Sequence, residues 1–335
     1  MGFLLQTIPK KEDEFEIIES YFKGLTAQDG VFLGIGDDAA ILDISATPKH
    51  QLVVATDTLV ENIHFPSSAV SYQIAQRALC VNLSDIAAMG AIPRWFTLSL
   101  SLPRKLANNS WLKGFSSGLA EVADEFKCSL IGGDTTSGAL SISITMLGEV
   151  PPGSAITRGG ANDGDFIYVS GALGDGAAAL SVIQGNEIKH KIDSERLLSR
   201  FYRPEPKIEF GQKLRDVASA CIDISDGLVA DLEHICRSSG VSANVNTSDV
   251  PIKDDVRSQW GGNCVKWALF GGDDYHLCFT VPEHLTEIVD SWSADGLSDL
   301  KKIGRMTRCN DGVPQVFLDG AAVVQQNKGF DHFGG

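Results

Sequence analysis

The sequence predicts a two-domain α/β protein of the α+β type, and three observations carry that expectation. The chain has 335 residues, 43% of them hydrophobic, which is enough for two ordinary cores. Helical and alternating periodicities recur in both halves. Midway lies Pro151-Pro152-Gly153, which stops helix and strand alike, so the expected division is an N-terminal domain 1–150 and a C-terminal domain 151–335.

From the N-terminus, Phe15, Ile18, Phe22 and Leu25 recur at three- and four-residue spacing and predict an amphipathic helix over 12–25. Gln51–Thr56 reads as an apolar strand, and Trp95–Leu102 alternates Phe96, Leu98, Leu100 and Leu102 with Thr and Ser, as a half-buried strand does. Between them Tyr72–Met89 is rich in Ala, Leu and Ile and stops at Gly90, which predicts a buried helix. A helix over about 110–126 leads to short strands at 129–131 and 140–150. In the second half, strands are expected at 166–170, 221–224, 265–270, 277–281 and 301–306, and helices at 174–184, 206–218 and 228–237.

Composition narrows the function. With 43 acidic and 28 basic residues the net charge is −15, a surface that repels nucleic acid and anionic membrane, so neither is an expected partner. The 7 cysteines are widely spaced without a C-x-x-C pair, which fits reduced thiols in the cytoplasm better than zinc or disulfides. No apolar run reaches the roughly 18–20 residues of a membrane span, and the opening MGFLLQTIPKKEDEFE is neither a signal peptide nor a myristoylation site.

The placement of aspartates points to chemistry. Asp37-Asp38 follow Gly34-Ile35-Gly36, Asp57 closes an apolar strand, and Asn82 and Asp85 share a helix face. Asp134 follows Ile131-Gly132-Gly133, Asp223 and Asp226 sit at a strand-to-helix junction, and Asp273-Asp274 follow Gly271-Gly272. Any one of these aspartates also fits an N-cap or turn former. Six such motifs together suggest carboxylates gathered at one sheet edge, where they repel unless a cation joins them. Oxygen-only donors select Mg²⁺ or Mn²⁺, and the adjacent glycines let backbone N–H groups approach phosphate. Metal-assisted polyphosphate chemistry follows, although Walker, H-R-D and D-F-G signatures are absent from the sequence. Because adjacent side chains of an extended segment diverge, Asp38 rather than Asp37 is the expected ligand.

These motifs, taken in order, resemble the thiamine-monophosphate kinase family of the aminoimidazole ribonucleotide synthetase superfamily. They are GIGDDAAIL at 34–42, ATDTLVENIHF at 55–65, CVNLSDIAAMGA at 80–91, LIGGDTTSG at 130–138, IDISDGLVADL at 222–232, FGGDDYHLCFTV at 270–281 and KGFDHF at 328–333. The resemblance implies transfer of the γ-phosphate of ATP directly to thiamine monophosphate, with several Mg²⁺ ions and no phosphoenzyme. It also implies a homodimer in which the N-terminal domain forms a barrel-like interface and the C-terminal domain packs helices on a mixed sheet. By position, Asp38, Thr56, Asp57, Asp85, Asp134, Asp223 and Asp226 match the metal shell. Gly133, Asp134, Arg158 and Ser225 match ATP contacts, and His64, Asp273 and Phe330 match contacts to the acceptor.

The chain departs from the usual family pattern in two places. Asp273 and His276 stand where the family commonly has glutamates, and Ala55 precedes Thr56 where a hydroxyl residue is usual. Superfamily relatives that act on selenide, formylglycinamide ribonucleotide or a carbamoyl group are the alternative enzymes. The first cysteine, Cys80, lies in a helical segment and the tail reads KGFDHFGG, which disfavours the selenide and carbamoyl readings. A non-catalytic Mg–nucleotide sensor is the alternative of another class.

Overall fold

A computed structural model describes residues 18–22, 31–33, 41–42, 50–186, 193–294, 300–309 and 312–323. The chain divides into two compact units, one containing Thr56–Ala78 and Trp95–Thr145, the other containing Thr47–Ala55, Leu79–Arg94 and the stretch from Met146 onward.

Near the N-terminus, Ile18–Phe22 forms one π-helical turn, and the rest of the helix expected over 12–25 lies outside the described residues. Phe22 is buried edge-on against Phe115. Strands β1 (Val31–Leu33) and β2 (Ile41–Leu42) pair antiparallel. There follow β3 (Gln51–Val60), α1 (Ser71–Ala88), β4 (Ile92–Leu102), α2 (Asn109–Phe126), β5 (Ser129–Ser137) and β6 (Ser141–Val150). The four longer strands form a sheet in the order β3-β6-β4-β5. β4 and β5 are parallel neighbours, which requires a crossover, and α2 supplies it. The Asn108 side chain caps α2 by accepting from the Trp111 N–H at 3.1 Å. Its inward stripe is Leu112, Phe115, Leu119 and Val122, one face of an amphipathic helix. α1 ends before Gly90, whose φ of +66° a side chain rarely adopts.

Two strands run further than expected, which corrects the view that Asp57 and Asp134 close them. β3 continues to Val60 because Thr56 pairs with Thr145 (2.6 Å) and Thr58 with Ser143 (2.7 Å) across the ladder. β5 continues through Gly132, Gly133 and Asp134 to Ser137. There Leu98 lies opposite Gly133 and Ser99 opposite Asp134, and a Cβ on Gly133 would collide with the Leu98 carbonyl. The glycine is what lets the ladder continue.

The second unit carries β7 (Phe166–Val169), α3 (Asp175–Ile183), α4 (Ser194–Tyr202), α5 (Ile208–Leu214) and β8 (Ala220–Asp223). After these come α6 (Leu228–Ser239), β9 (Val241–Val245), α7 (Asp254–Trp260), α8 (Gly262–Phe270), β10 (Leu277–Val281) and α9 (Thr286–Ala294). The last strands are β11 (Lys301–Arg308), β12 (Val316–Leu318) and β13 (Ala321–Ala322). They build a mixed sheet, β13-β12-β9-β11-β7-β10-β8, antiparallel apart from the β12–β9 pair. α6 packs on it against β8, β9, β10 and β12, with its Leu232 and Ile235 fully buried.

The strand expected at 265–270 is helical. Cys264, Ala268 and Leu269 are the buried residues of α8, a helical spacing, and Trp267 packs on Trp260 at 5.0 Å between ring centroids. The helix expected over 206–218 shortens to α5, because Pro204 and Pro206 precede it and Arg215–Val217 form a turn. Among the described residues no helix is long and apolar enough to cross a membrane, and none of the seven cysteines is in a disulfide.

Candidate active site

Antiparallel pairing decides which loops meet in the second unit. Asp223, at the end of β8, lies opposite Leu277, at the start of β10, and Val169, at the end of β7, lies opposite Cys278. The loops after β7 and β8 and the loop before β10 therefore share one edge of the sheet. They are Gly171–Gly174, Ile224–Gly227 and Gly271–His276, and the last two carry aspartate motifs.

The loop after β8 is held from behind. Asp231, in the first turn of α6, turns one carboxylate oxygen back to accept the backbone N–H groups of Ser225 (3.0 Å), Asp226 (3.1 Å) and Gly227 (3.1 Å). Burial, then the charges of Asp223 and Asp226, pushes the Asp231 carboxyl well above the usual range against two of those hydrogen bonds. Like charge is thus concentrated where carboxylates were expected to gather. From α1, Ser84 donates to Asp223 Oδ2 at 2.7 Å with both residues buried, and Asp85 follows Ser84 in the helix. This hydrogen bond joins the α1 and β8 motifs.

The loop before β10 is packed against the same backbone. Asp273 N–H donates to the Ser225 carbonyl and Tyr275 N–H to that of Ile224, both at 2.8 Å. Gly272, Asp273 and Tyr275 have φ of +65°, +62° and +52°, and Tyr275 Oη donates to Asp273 Oδ1 at 3.2 Å. Ser225 and Asp273, expected on ATP and on the acceptor, are therefore neighbours. His276 turns inward: its Nε2 accepts from Arg200 at 3.0 Å, and its Nδ1 lies 3.3 Å from Ser170 Oγ. Burial, then Arg200, Lys207 and Lys253, pushes its pKa well below the usual histidine value. The imidazole in place of a carboxylate serves the packing between α4 and β10.

Arg158 is exposed, and Ser239 Oγ donates to its carbonyl. Its charge is felt at His234, where burial, Arg158 and Arg237 lower the pKa against Asp226. Arg158 thus lies in electrostatic reach of the α6 face that begins at the Asp226 loop.

In the first unit, Gly133 and Asp134 are exposed on β5. The Thr56 hydroxyl bonds the Ile144 carbonyl at 3.0 Å and Thr145 Oγ1 at 2.6 Å, and Asp57 is half-buried inside β3. His64 accepts from the Val60 N–H at Nδ1 (2.9 Å), which puts its ring proton on Nε2, and its carbonyl accepts from Arg77 (3.0 Å). Asp38 and Phe330 lie outside the described residues. Among the described residues no three His, Cys, Asp or Glu side chains stand close enough to hold a metal ion.

Ser84 and Asp231 escaped the sequence reading, and Asp274 entered it only as part of the Asp273-Asp274 motif, without a partner. An aspartate four residues into a helix after Asp-Gly is a local signal for Asp231. Ser84 is 139 residues from Asp223, and Asp274 about 100 from its partners, so neither had a local signal.

Two glycine-rich, carboxylate-bearing α/β units of this order define a class. The family of AIR synthase related proteins matches the chain, its N-terminal domain over residues 36–150 and its C-terminal domain over 162–316. Within that class the chain belongs to the thiamine-monophosphate kinase family. It is 43% identical to thiamine-monophosphate kinase of Salmonella typhimurium over 323 residues, 96% of this chain and 98% of the relative. The crystal structure of thiamine-monophosphate kinase from Stenotrophomonas maltophilia K279a superposes with a TM-score of 0.80 at 42% identity, covering 88% of this chain and 93% of that one. A solved AaThiL complexed with AMPPCP and TMP superposes with a TM-score of 0.76 at 32% identity, covering 96% and 97%.

Proposed function

We infer that this chain phosphorylates thiamine monophosphate with ATP, giving thiamine diphosphate and ADP by direct transfer of the γ-phosphate. One observation carries the reading: a chain matched end to end by thiamine-monophosphate kinases brings its Ser225–Asp226 and Asp273 loops together at one sheet edge. AMPPCP is an ATP analogue, and its presence with TMP on a relative of similar fold supports these two ligands here.

The residues fit a hard divalent cation. Their donors are carboxylate and hydroxyl oxygens, and burial together with the charges of Asp223 and Asp226 raises the carboxyl of Asp231 beside them, a concentration of like charge that suits a cation. Asp85, Asp223 and Asp226 in the second unit, and Asp38, Thr56, Asp57 and Asp134 in the first, are the residues proposed to hold Mg²⁺. With Ala55 in place of a hydroxyl residue, that position can offer only its carbonyl. When bound, the metal neutralises charge on the transferring phosphoryl group.

The protein's own part is positioning. Gly133 and Ser225 present backbone to the polyphosphate, with Arg158 as the cation beside it. Asp231 fixes the Ser225–Gly227 backbone before ATP arrives, so that loop needs no reorganisation on binding. Asp273, His64 and the Phe330 tail are proposed for the acceptor, whose thiazolium cation suits acidic and aromatic neighbours. A homodimer completes the proposal, with the first sheet forming the barrel-like interface. Leu52 and Val54, 50% and 58% exposed on edge strand β3, support it. The domain division at 150/151 and a cytoplasmic location remain parts of the same proposal.

ATP made chiral at the γ-phosphorus tests the transfer. Inversion in the thiamine diphosphate formed supports one in-line displacement, and retention refutes it. Turnover must also vanish when Mg²⁺ is chelated.

A further inference from the structure

Asp274, next to the proposed acceptor residue, is turned inward onto the start of α3. It is 3% exposed, and its carboxylate accepts from the backbone N–H of Gly174 at 2.8 Å (Oδ2) and of Gly176 at 3.1 Å (Oδ1). It is thus the N-terminal cap of α3, delivered from 100 residues away. No side chain of the chain preceding α3 does this work, since Gly174 is the cap residue and offers none. The fit is tight on both sides of the loop. A Cβ on Gly176 would lie 2.5 Å from the Asp273 carbonyl oxygen, and one on Gly272 would lie 3.0 Å from the Asp226 carbonyl carbon. Asp273 itself sits at φ +62°, a conformation that survives only where its neighbours enforce it.

We propose that Asp274 is a positioning residue for the acceptor: by pinning the loop to the α3 N-terminus it holds Asp273 in its left-handed conformation and fixes the affinity for thiamine monophosphate. The proposal rests on the reaction inferred above. Ionised Asp274 offers acceptors to both N–H groups, whereas the protonated acid turns one oxygen into a donor facing them.

The charges around Asp274 make this pinning pH-sensitive. Burial raises its carboxyl to about 7, against the Gly174 and Gly176 N–H groups; Asp175 on α3 raises it further and Arg200 on α4 lowers it. Arg196 on α4 is paired with Asp175 and Asp255, and His276, just before β10, is neutral, so neither reverses the balance. The acceptor site is thereby expected to tighten as pH rises through neutrality.

The test is steady-state kinetics of wild type and Asp274→Asn between about pH 6 and pH 9. The variant is expected to raise KM for thiamine monophosphate about tenfold at pH 8 while KM for ATP stays within about twofold. Wild type is expected to lose acceptor affinity below about pH 7 more than the variant does, the acceptor's own phosphate titration being common to both. Both KM values moving together, or parallel pH profiles, would show a merely structural role and overturn the proposal. In wild type alone, exchange protection of the Gly174 and Gly176 amides must fall through the same pH range, and constant protection overturns it without any variant. A wild type that makes no thiamine diphosphate overturns the underlying reaction as well, whereas an active wild type with an unmoved variant KM overturns only the role of Asp274.

Discussion

Replacing Gly133 by Ala, with Gly132→Ala as its partner experiment, tests how β5 carries its glycine–aspartate motif. A Cβ on Gly133 would stand 2.7 Å from the Leu98 carbonyl carbon and 3.0 Å from the Leu98 nitrogen, and closer still to the Leu98 oxygen. Those are backbone atoms of a paired strand, so no side-chain rotation relieves the clash. Restoring ordinary contact moves β5 away from β4 by roughly an ångström, with an overpacking cost of about 1–3 kcal/mol. One or two ladder hydrogen bonds at about 1 kcal/mol each are stretched with it. The expected loss of about 2–5 kcal/mol lowers the melting temperature by about 5–15 °C. Asp134, opposite Ser99 one step along, is displaced, so activity falls even at temperatures where the variant is folded. A Cβ on Gly132 meets no heavy atom within 4 Å, so that variant keeps the fold and gains up to about 1 kcal/mol from the unfolded chain. Thermal melts and urea titrations measure both. Indistinguishable melts for the two variants, or a Gly133→Ala melt within about 2 °C of wild type, would refute the reasoning.

Three other perturbations reach the second unit. Ser84→Ala removes the 2.7 Å donor to buried Asp223, and is expected to cost about 1–3 kcal/mol and to lower activity; unchanged stability and rate count against that bond. Asp226→Asn keeps the side-chain volume but removes a charge and a proposed metal ligand; activity is expected to fall at least about 100-fold with little change in melting temperature, and a rate within a few-fold of wild type removes Asp226 from the shell. His276 has a folded-state pKa well below its unfolded value, so its contribution to stability is present above about pH 6.5 and is lost as pH falls below that. His276→Gln keeps an acceptor for Arg200 at every pH and is expected to lose less stability between about pH 6.5 and pH 5; parallel melting curves for the two proteins contradict this.

The parts of the fold legible in the sequence are those whose signals are local. α1 announced itself through its Ala-, Leu- and Ile-rich run and its stop before Gly90, and β4 through the alternation of Phe96, Leu98, Leu100 and Leu102 with Thr and Ser. The run Val265–Phe270 did not, because six apolar-rich residues fit either period and only the burial of Cys264, Ala268 and Leu269 settles the matter. α4 passed unread although Leu197 and Phe201 stand a helical turn apart. The aspartate motifs were visible as motifs, but the reason offered for their meeting was that strand ends gather on one edge. In the second sheet they meet because β10 runs against β7 and β8, so the loop before one strand abuts the loops after the others. Pairing of that kind is set by contacts far apart in the chain, as are Ser84 on Asp223 and Asp274 on α3. His276 shows the same limit: a residue noted for departing from the family pattern packs inward against Arg200.

The most direct test of the central claim is mass-spectrometric product analysis after incubating the protein with ATP, Mg²⁺ and a mixture of thiamine, thiamine monophosphate and aminoimidazole ribonucleotide precursors. The expected result is thiamine diphosphate and ADP in equal amounts, formed from the monophosphate alone. ATP left intact while calorimetry still detects nucleotide binding, or a phosphoryl group found on another acceptor, would contradict it.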